Sequence, residues 1–194
     1  MIAIIDYNAG NIQSVEFAME RLGVAYLTTN DKTKIQQADK VIFPGVGEAK
    51  NTMEYLKKEG LDLLIKSLKQ PVLGICLGMQ LMCLHSEEGD VDGLGIFDTQ
   101  VKLFRPTGGE KVPHMGWNTI TELKGALFQG ALEEKYVYFV HSYYADLCQE
   151  TIAKTHYSLP YSSALQKDNF YATQFHPEKS GDVGEQILRN FINL

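Results

Sequence analysis

Apolar and polar positions follow two rhythms along this chain. In the first part, short, mostly apolar runs recur at 1–6, 25–28, 40–43 and 72–75. Runs this short predict strands buried on both faces. Between them the apolar residues fall at helical spacing. Ile12, Val15, Met19 and Leu22 form one stripe, with Asn11 as N-cap and Gly23 as stop. Segments 32–37 and 61–68 predict two further helices. Strands alternating with helices imply right-handed βαβ units and a mostly parallel central sheet flanked by helices.

From about residue 101 the rhythm changes. Short strands at 117–121, 136–141, 152–155, 163–166 and 171–175 predict a mixed or antiparallel extension of the same sheet. A last helix over 183–192 puts Val183, Ile187, Leu188, Phe191 and Ile192 on one face. No repeat, low-complexity tract or long linker interrupts the 194 residues. The expected class is α/β, in one domain spanning 1–194.

The chain carries 18 basic and 24 acidic residues, a net charge of -6. That argues against broad nucleic-acid binding and against an anionic membrane surface. No apolar run has the length of a membrane span. The N-terminal stretch reads as a first strand rather than a signal peptide. Three cysteines, Cys76, Cys83 and Cys148, are sparse, odd in number and lack a CxxC pair. Both features point to a reducing cytoplasm.

Candidate chemistry concentrates at Gly74-Ile75-Cys76-Leu77-Gly78-Met79-Gln80. A buried strand runs into this stretch after Pro71. An amphipathic helix carrying Met79, Leu81, Met82 and Leu84 leaves it. Cys76 sits at the joint, flanked by glycines, in the pattern of a nucleophile elbow with Cys in place of Ser. The helix start would favour a thiolate, and its free N–H groups could hold an oxyanion. A buried structural Cys in a strand–helix joint fits the same residues.

Gln174-Phe175-His176-Pro177-Glu178 supplies a second constellation. Pro177 holds His176 extended at a strand end, and Glu178 is placed to orient its ring. Cys76, His176 and Glu178 together make a nucleophile, a base and an orienting acceptor. In an α/β sheet the carboxyl ends of strands share one edge, where sites form. A solvated strand end is the competing reading for His176 and Glu178. Pro44-Gly45-Val46-Gly47 also follows a strand. Its glycines suit an oxyanion cradle, a weaker phosphate cradle or a plain turn. His141 fits a second base or a pocket wall. His85, His114 and His156 have no partner at metal-ligand spacing and read as structural or surface residues. Cys83 reads as packing.

Together these segments resemble the class I (triad) glutamine amidotransferases over essentially the whole chain. The resemblance rests on Ile4-Ile5-Asp6-Tyr7 with Gly10-Asn11, Pro44-Gly45-Val46-Gly47, and the elbow from Gly74 to Gln80. It also rests on Pro113-His114-Met115-Gly116-Trp117-Asn118, Tyr138-Phe139-Val140-His141-Ser142-Tyr143, and His176-Pro177-Glu178-Lys179-Ser180. GxCxG and HPE belong to the wider superfamily. PGVG, PHMGWN and HPEKS point to the branch serving imidazole glycerol phosphate synthase in histidine biosynthesis.

The resemblance implies a flavodoxin-like fold and a defined set of roles. Cys76 attacks the side-chain amide of L-glutamine, His176 transfers the proton to departing ammonia, and Glu178 orients His176. The Leu77 N–H is one oxyanion donor. The second comes from the Val46 or Gly47 peptide, directly or after that loop rearranges. Gly47, Gln80, Glu88, Ser142 and Tyr143 hold glutamine. No metal or organic cofactor is implied. The ammonia passes to a separate (β/α)₈-barrel cyclase in a heterodimer, because one domain of this size leaves little room for a second substrate site. That cyclase makes imidazole glycerol phosphate and an aminoimidazole carboxamide ribotide. Met115, Trp117, Asn118, Tyr138 and Lys179 are the interface candidates, with core packing as the alternative for Trp117. No residue of 101–111 carries over.

Two alternatives stay open at this point. The same triad could feed another synthase, such as one that amidates a surface sugar; PHMGWN and HPEKS argue against pyridoxal phosphate and anthranilate partners. A non-enzymatic regulatory relative would not need the Cys, His and Glu set.

Overall fold

Four short strands in the first part of the chain, β1 (Ile2–Ile5), β2 (Tyr26–Thr29), β3 (Lys40–Phe43) and β4 (Val72–Ile75), account for the short apolar runs, though β2, at the sheet edge, is only half-buried. β1 and β4 are buried along their whole length. Alternate residues of β1 feed opposite cores: Ala3 and Ile5 pack on one face of the sheet, Ile2 and Ile4 on the other. A strand covered on both sides has no face left for polar alternation. The computed structural model describes residues 1–7, 12–130 and 132–194. The expected cap Asn11 and the Gly10-Asn11 pair lie outside the described residues.

The intervening helices are α1 (Ile12–Leu22), α2 (Lys32–Gln37), α3 (Ala49–Glu59) and α4 (Leu61–Ser67). Gly23, with φ of 67°, stops α1 as its sequence predicts. The sequence pattern does not show helix α3. Its buried residues Ala49, Thr52, Met53 and Leu56 are at helical spacing, but only two of them are strongly apolar. The Glu48 side chain caps it by accepting from the N–H groups of Lys50 and Asn51.

After β4 come α5 (Leu77–Met82), β5 (His85–Ser86), β6 (Val91–Asp92) and β7 (Gln100–Leu103). Then follow β8 (His114–Thr119), β9 (Tyr136–His141), β10 (Tyr143–Ala145), β11 (Thr151–Tyr157), β12 (Leu159–Lys167), β13 (Phe170–Thr173) and α6 (Gly181–Ile192). α5 is not amphipathic: all six of its residues are buried, and it ends before Leu84.

Among the described residues, an eleven-stranded sheet runs β2-β1-β3-β4-β13-β12-β10-β7-β5-β6, with β11 attached to β12. β1 to β4 and β13 are parallel, and β12, β10 and β11 add antiparallel strands. The α/β class with a mixed extension is therefore the observed architecture. One detail differs from the sequence expectation. β8 and β9 do not join the extension; they pair with each other as a separate antiparallel ribbon. Tertiary packing sets the ribbon apart, with one face against the core and the other open. Phe139 and Val137 pack into the core on one side, while Met115, Trp117 and Tyr136 are exposed on the other. Among the described residues, no helix is long and apolar enough to cross a membrane.

Candidate active site

β4 ends at Ile75, and the chain turns at once into α5. Cys76 takes the turn with φ of 53° and ψ of -107°, a conformation that costs a non-glycine residue energy. Its N–H donates to the Thr173 carbonyl at the end of β13, at 2.8 Å. The turn lies against the loop after β3. A Cβ on Gly78 would sit 2.1 Å from the Phe43 carbonyl oxygen, and one on Gly45 would sit 2.2 Å from the Gly78 nitrogen. Only glycine at these two places allows main chain to touch main chain.

Cys76 lines a cavity of about 320 Å³ and is only 8% exposed. The thiol donates to the Val140 carbonyl at 3.9 Å, and the Gln174 amide donates to the sulfur at 3.6 Å. His176 lines the same cavity. It is extended, with φ of -95° and ψ of 95°, as the following proline requires. Its Nδ1 lies 2.8 Å from Glu178 Oε1, and both side chains are almost wholly buried. Nε2 is buried and makes no hydrogen bond of good geometry in this state. Burial lowers the imidazole pKa, but the neighbouring Cys76 sulfur and then Glu178 raise it more, to about 10. The Pro177–Lys179 turn carries Glu178, and a solvated strand end is excluded for both residues.

The oxyanion candidates lie on the same wall. Val46, Gly47 and Leu77 line the cavity. The Leu77 N–H donates to the Gly45 carbonyl at 3.4 Å. Gly47 has φ of 122°, a conformation that L side chains rarely adopt. Behind this loop lies a second cavity of about 290 Å³, lined by Tyr7, Glu48, Asn51 and Tyr55 as well as Val46 and Gly47. Tyr7 donates its hydroxyl hydrogen to the Pro44 carbonyl at 2.5 Å. Burial above all pushes its pKa up, so it stays a donor.

The residues expected to hold a ligand also meet here. Gln80, Glu88, Ser142 and Tyr143 line the cavity with His141. Gln80 donates to the Tyr143 carbonyl and to Gln174 Oε1, both at 2.9 Å. Glu88 accepts the Ala49 N–H, the first of α3, at 3.0 Å, and burial raises its pKa. His141 is a buried wall: its two ring nitrogens are taken up by the Tyr143 carbonyl and by His114, and burial above all lowers its pKa to about 3, so it is neutral. His114 is buried beside it, His85 pairs with Asp90 and Asp92 at the surface, and His156 is exposed. Among the described residues, no group of three or more His, Cys, Asp or Glu is arranged to hold a metal. Burial pushes the Cys83 thiol up, and Cys83 packs as anticipated.

Of the interface candidates, Met115 and Trp117 are 63% and 55% exposed, so core packing of Trp117 is excluded. Trp117 meets Tyr138 edge to face across the ribbon, with ring centroids 6.0 Å apart. Lys179 is exposed, whereas Asn118 is tied down by donating to the His156 carbonyl. Sequence reasoning gave no role to Gln174 or Ser180. Gln174 bridges Gln80 and Cys76. The Ser180 hydroxyl donates to the His176 carbonyl and accepts the Tyr138 N–H. Both stand within four residues of His176, which was the available signal.

This arrangement of elbow, sheet edge and buried His–Glu pair has clear counterparts. The family model described as glutamine amidotransferase class-I matches residues 3–194. The chain belongs to the class I glutamine amidotransferase family and is an enzyme of that class. More particularly, it is 63% identical over 194 residues to the imidazole glycerol phosphate synthase subunit HisH of Bacteroides thetaiotaomicron, covering 100% of this chain and 99% of that one. It is 46% identical over 195 residues to the subunit of that name in Yersinia pseudotuberculosis, covering 100% and 99%. Among solved structures, a glutamine amidotransferase superposes with a TM-score of 0.76 at 17% identity, over 100% of this chain and 98% of that one. A glutamine amidotransferase from Thermotoga maritima gives 0.64 at 16% identity, over 99% and 82%. These two share the fold.

Proposed function

We propose that the chain, acting as one domain over 1–194, is the glutaminase subunit of an imidazole glycerol phosphate synthase. The observation that carries the reading is the buried His176–Glu178 pair beside a strained Cys76 on a cavity large enough for an amino acid. The Cys76 sulfur attacks the carboxamide carbon of L-glutamine. His176, oriented by Glu178, holds the proton that the departing ammonia takes up, leaving a glutamyl thioester on Cys76. His176 then takes a proton from water, which attacks the thioester and releases glutamate. The reaction calls on no metal or organic cofactor.

Both amide hydrogens of Gln80 are committed within the chain, so it offers glutamine its carbonyl oxygen. Glu88 sits where an α-amino group could bind, and Gly47, Ser142 and Tyr143 complete the pocket. The oxyanion is held by the Leu77 N–H and by the Val46 or Gly47 peptide. For that, Leu77 has to exchange the Gly45 carbonyl for the ligand. The loop has open space on both sides in which to move. The ammonia goes to a (β/α)₈-barrel cyclase docked on the ribbon through Met115, Trp117 and Tyr138 and on the Pro177–Lys179 turn through Lys179, with Asn118 bracing the ribbon from within. The site of action is the cytoplasm.

The test is glutamate release from glutamine by the full chain, with and without the barrel cyclase and its nucleotide ligand. Hydrolysis should be slow alone and rise sharply with the loaded cyclase. Cys76→Ala should lose it by at least about a thousandfold. Residual hydrolysis close to wild type in that variant would refute the mechanism.

A further inference from the structure

The ribbon has an inner face that the triad does not use. His114 and His141 are opposite each other in the β8–β9 register, both buried, with His114 Nδ1 3.1 Å from His141 Nε2. Tyr161, fully buried on β12, brings its hydroxyl to 3.3 Å from the first nitrogen and 3.2 Å from the second. The protons in this triangle can be assigned. His141 Nδ1 is 2.7 Å from the Tyr143 carbonyl oxygen, which only accepts, so Nδ1 carries the hydrogen. A neutral His141 then has an accepting Nε2. Two bare acceptors 3.1 Å apart would repel, so His114 Nδ1 carries a hydrogen as well, given to His141 directly or through Tyr161. His114 Nε2 is left accepting, and the Asn118 amide faces it at 3.4 Å.

The Tyr143 carbonyl is the common end of two chains of hydrogen bonds. It accepts from His141 and from Gln80, and Gln80 continues through Gln174 to the Cys76 sulfur. His114 itself does not line the cavity. We infer that His114 is a positioning residue for glutamine: it holds His141 in the one tautomer that fixes the Tyr143 carbonyl, and thereby the orientation of Gln80. The inference rests on the glutaminase reading given above. If it is correct, a donor is needed at the Nδ1 place of residue 114, and polarity elsewhere on that side chain does not replace it.

Three variants separate this from simple packing. His114→Asn carries an amide where Nδ1 stands; His114→Gln carries one at the Nε2 place; His114→Phe keeps the ring and has no donor. Steady-state glutamine hydrolysis by the full chain with its cyclase should give His114→Asn a KM close to wild type. For His114→Gln and His114→Phe, KM should rise about tenfold, the size of one buried hydrogen bond left unmade, with kcat changed by less than threefold. Titration of glutamine into the same variants on a Cys76→Ala background should show the same order of Kd. Equal KM for His114→Asn and His114→Gln would overturn the inference, as would a loss confined to kcat. A wild-type chain that hydrolyses no glutamine would instead sink the glutaminase reading. The Asn and Gln pair decides the matter even if His114→Phe does not fold.

Discussion

β4 and β9 both deliver groups to one cavity, but they are built differently. β4 lies mid-sheet between β3 and β13, buried on both faces, and it aims Cys76 by main-chain geometry alone. β9 belongs to a two-stranded ribbon with one buried and one open face. It is fastened to the site by hydrogen bonds. The Tyr138 carbonyl accepts the His176 N–H, and Tyr138 donates to Ser180. A strand locked on four sides makes a rigid nucleophile mount. A ribbon carrying exposed Met115, Trp117 and Tyr136 offers an outer surface while its backbone touches the catalytic loop. The difference teaches that rigidity and access to a partner are assigned here to separate elements meeting at one histidine.

The largest way to test that division is at the histidine itself. Glu178→Gln leaves the shape but removes the carboxylate charge that orients His176 and favours its protonated form, so glutaminase kcat should fall on the order of a thousandfold with the fold intact by circular dichroism. Next in size, Gly78→Ala strikes the mount. Its Cβ would collide with the Phe43 carbonyl, and urea denaturation should show a loss of about 3 kcal/mol.

The two regions should also separate by pH. His141 and His114 have pKa values lowered by burial to about 3 and about 4, against 6.5 when unfolded. The unfolded chain therefore binds more protons below pH 6.5. Their contribution is complete above that value and is lost as pH falls toward 3. For His141 the loss is about 2 kcal/mol at pH 5 relative to pH 7, and His141→Asn should remove it from the urea profile. His176 has the opposite sign. Its pKa is raised to about 10, so its contribution is complete below pH 6.5 and fades as pH climbs through 10. The acid limb thus belongs to the ribbon and the alkaline limb to the catalytic pair.

The smallest effect on stability is predicted for the outer face. Trp117→Ala should shift unfolding by no more than about 0.5 kcal/mol, because the side chain is more than half exposed. The same variant should weaken cyclase binding in titration calorimetry by tenfold or more, since exposed aromatics are common interface anchors. An unchanged affinity would leave the ribbon without its assigned partner.

Much of this was legible along the chain. Runs such as Ile2–Ile5 and Val72–Ile75 declare buried parallel strands because no polar residue interrupts them. Glycines spaced about Cys76, and a proline after His176, restrict local backbone strongly enough to show the turn and the strand end. Local stereochemistry acts over a few residues, and a sequence displays it directly. What lies far apart in the chain did not show. His114 and His141 are 27 residues apart, Gln174 and Cys76 98 apart, and nothing in either segment alone tells which hydrogen-bond partner folding will supply. Helix α3 does not show in the sequence because its half-polar buried stripe looks solvated until α4 and α5 cover it. The exposure of Trp117 and the separation of β8–β9 from the sheet were decided by tertiary packing, since an aromatic strand reads the same whichever of its faces the rest of the molecule buries.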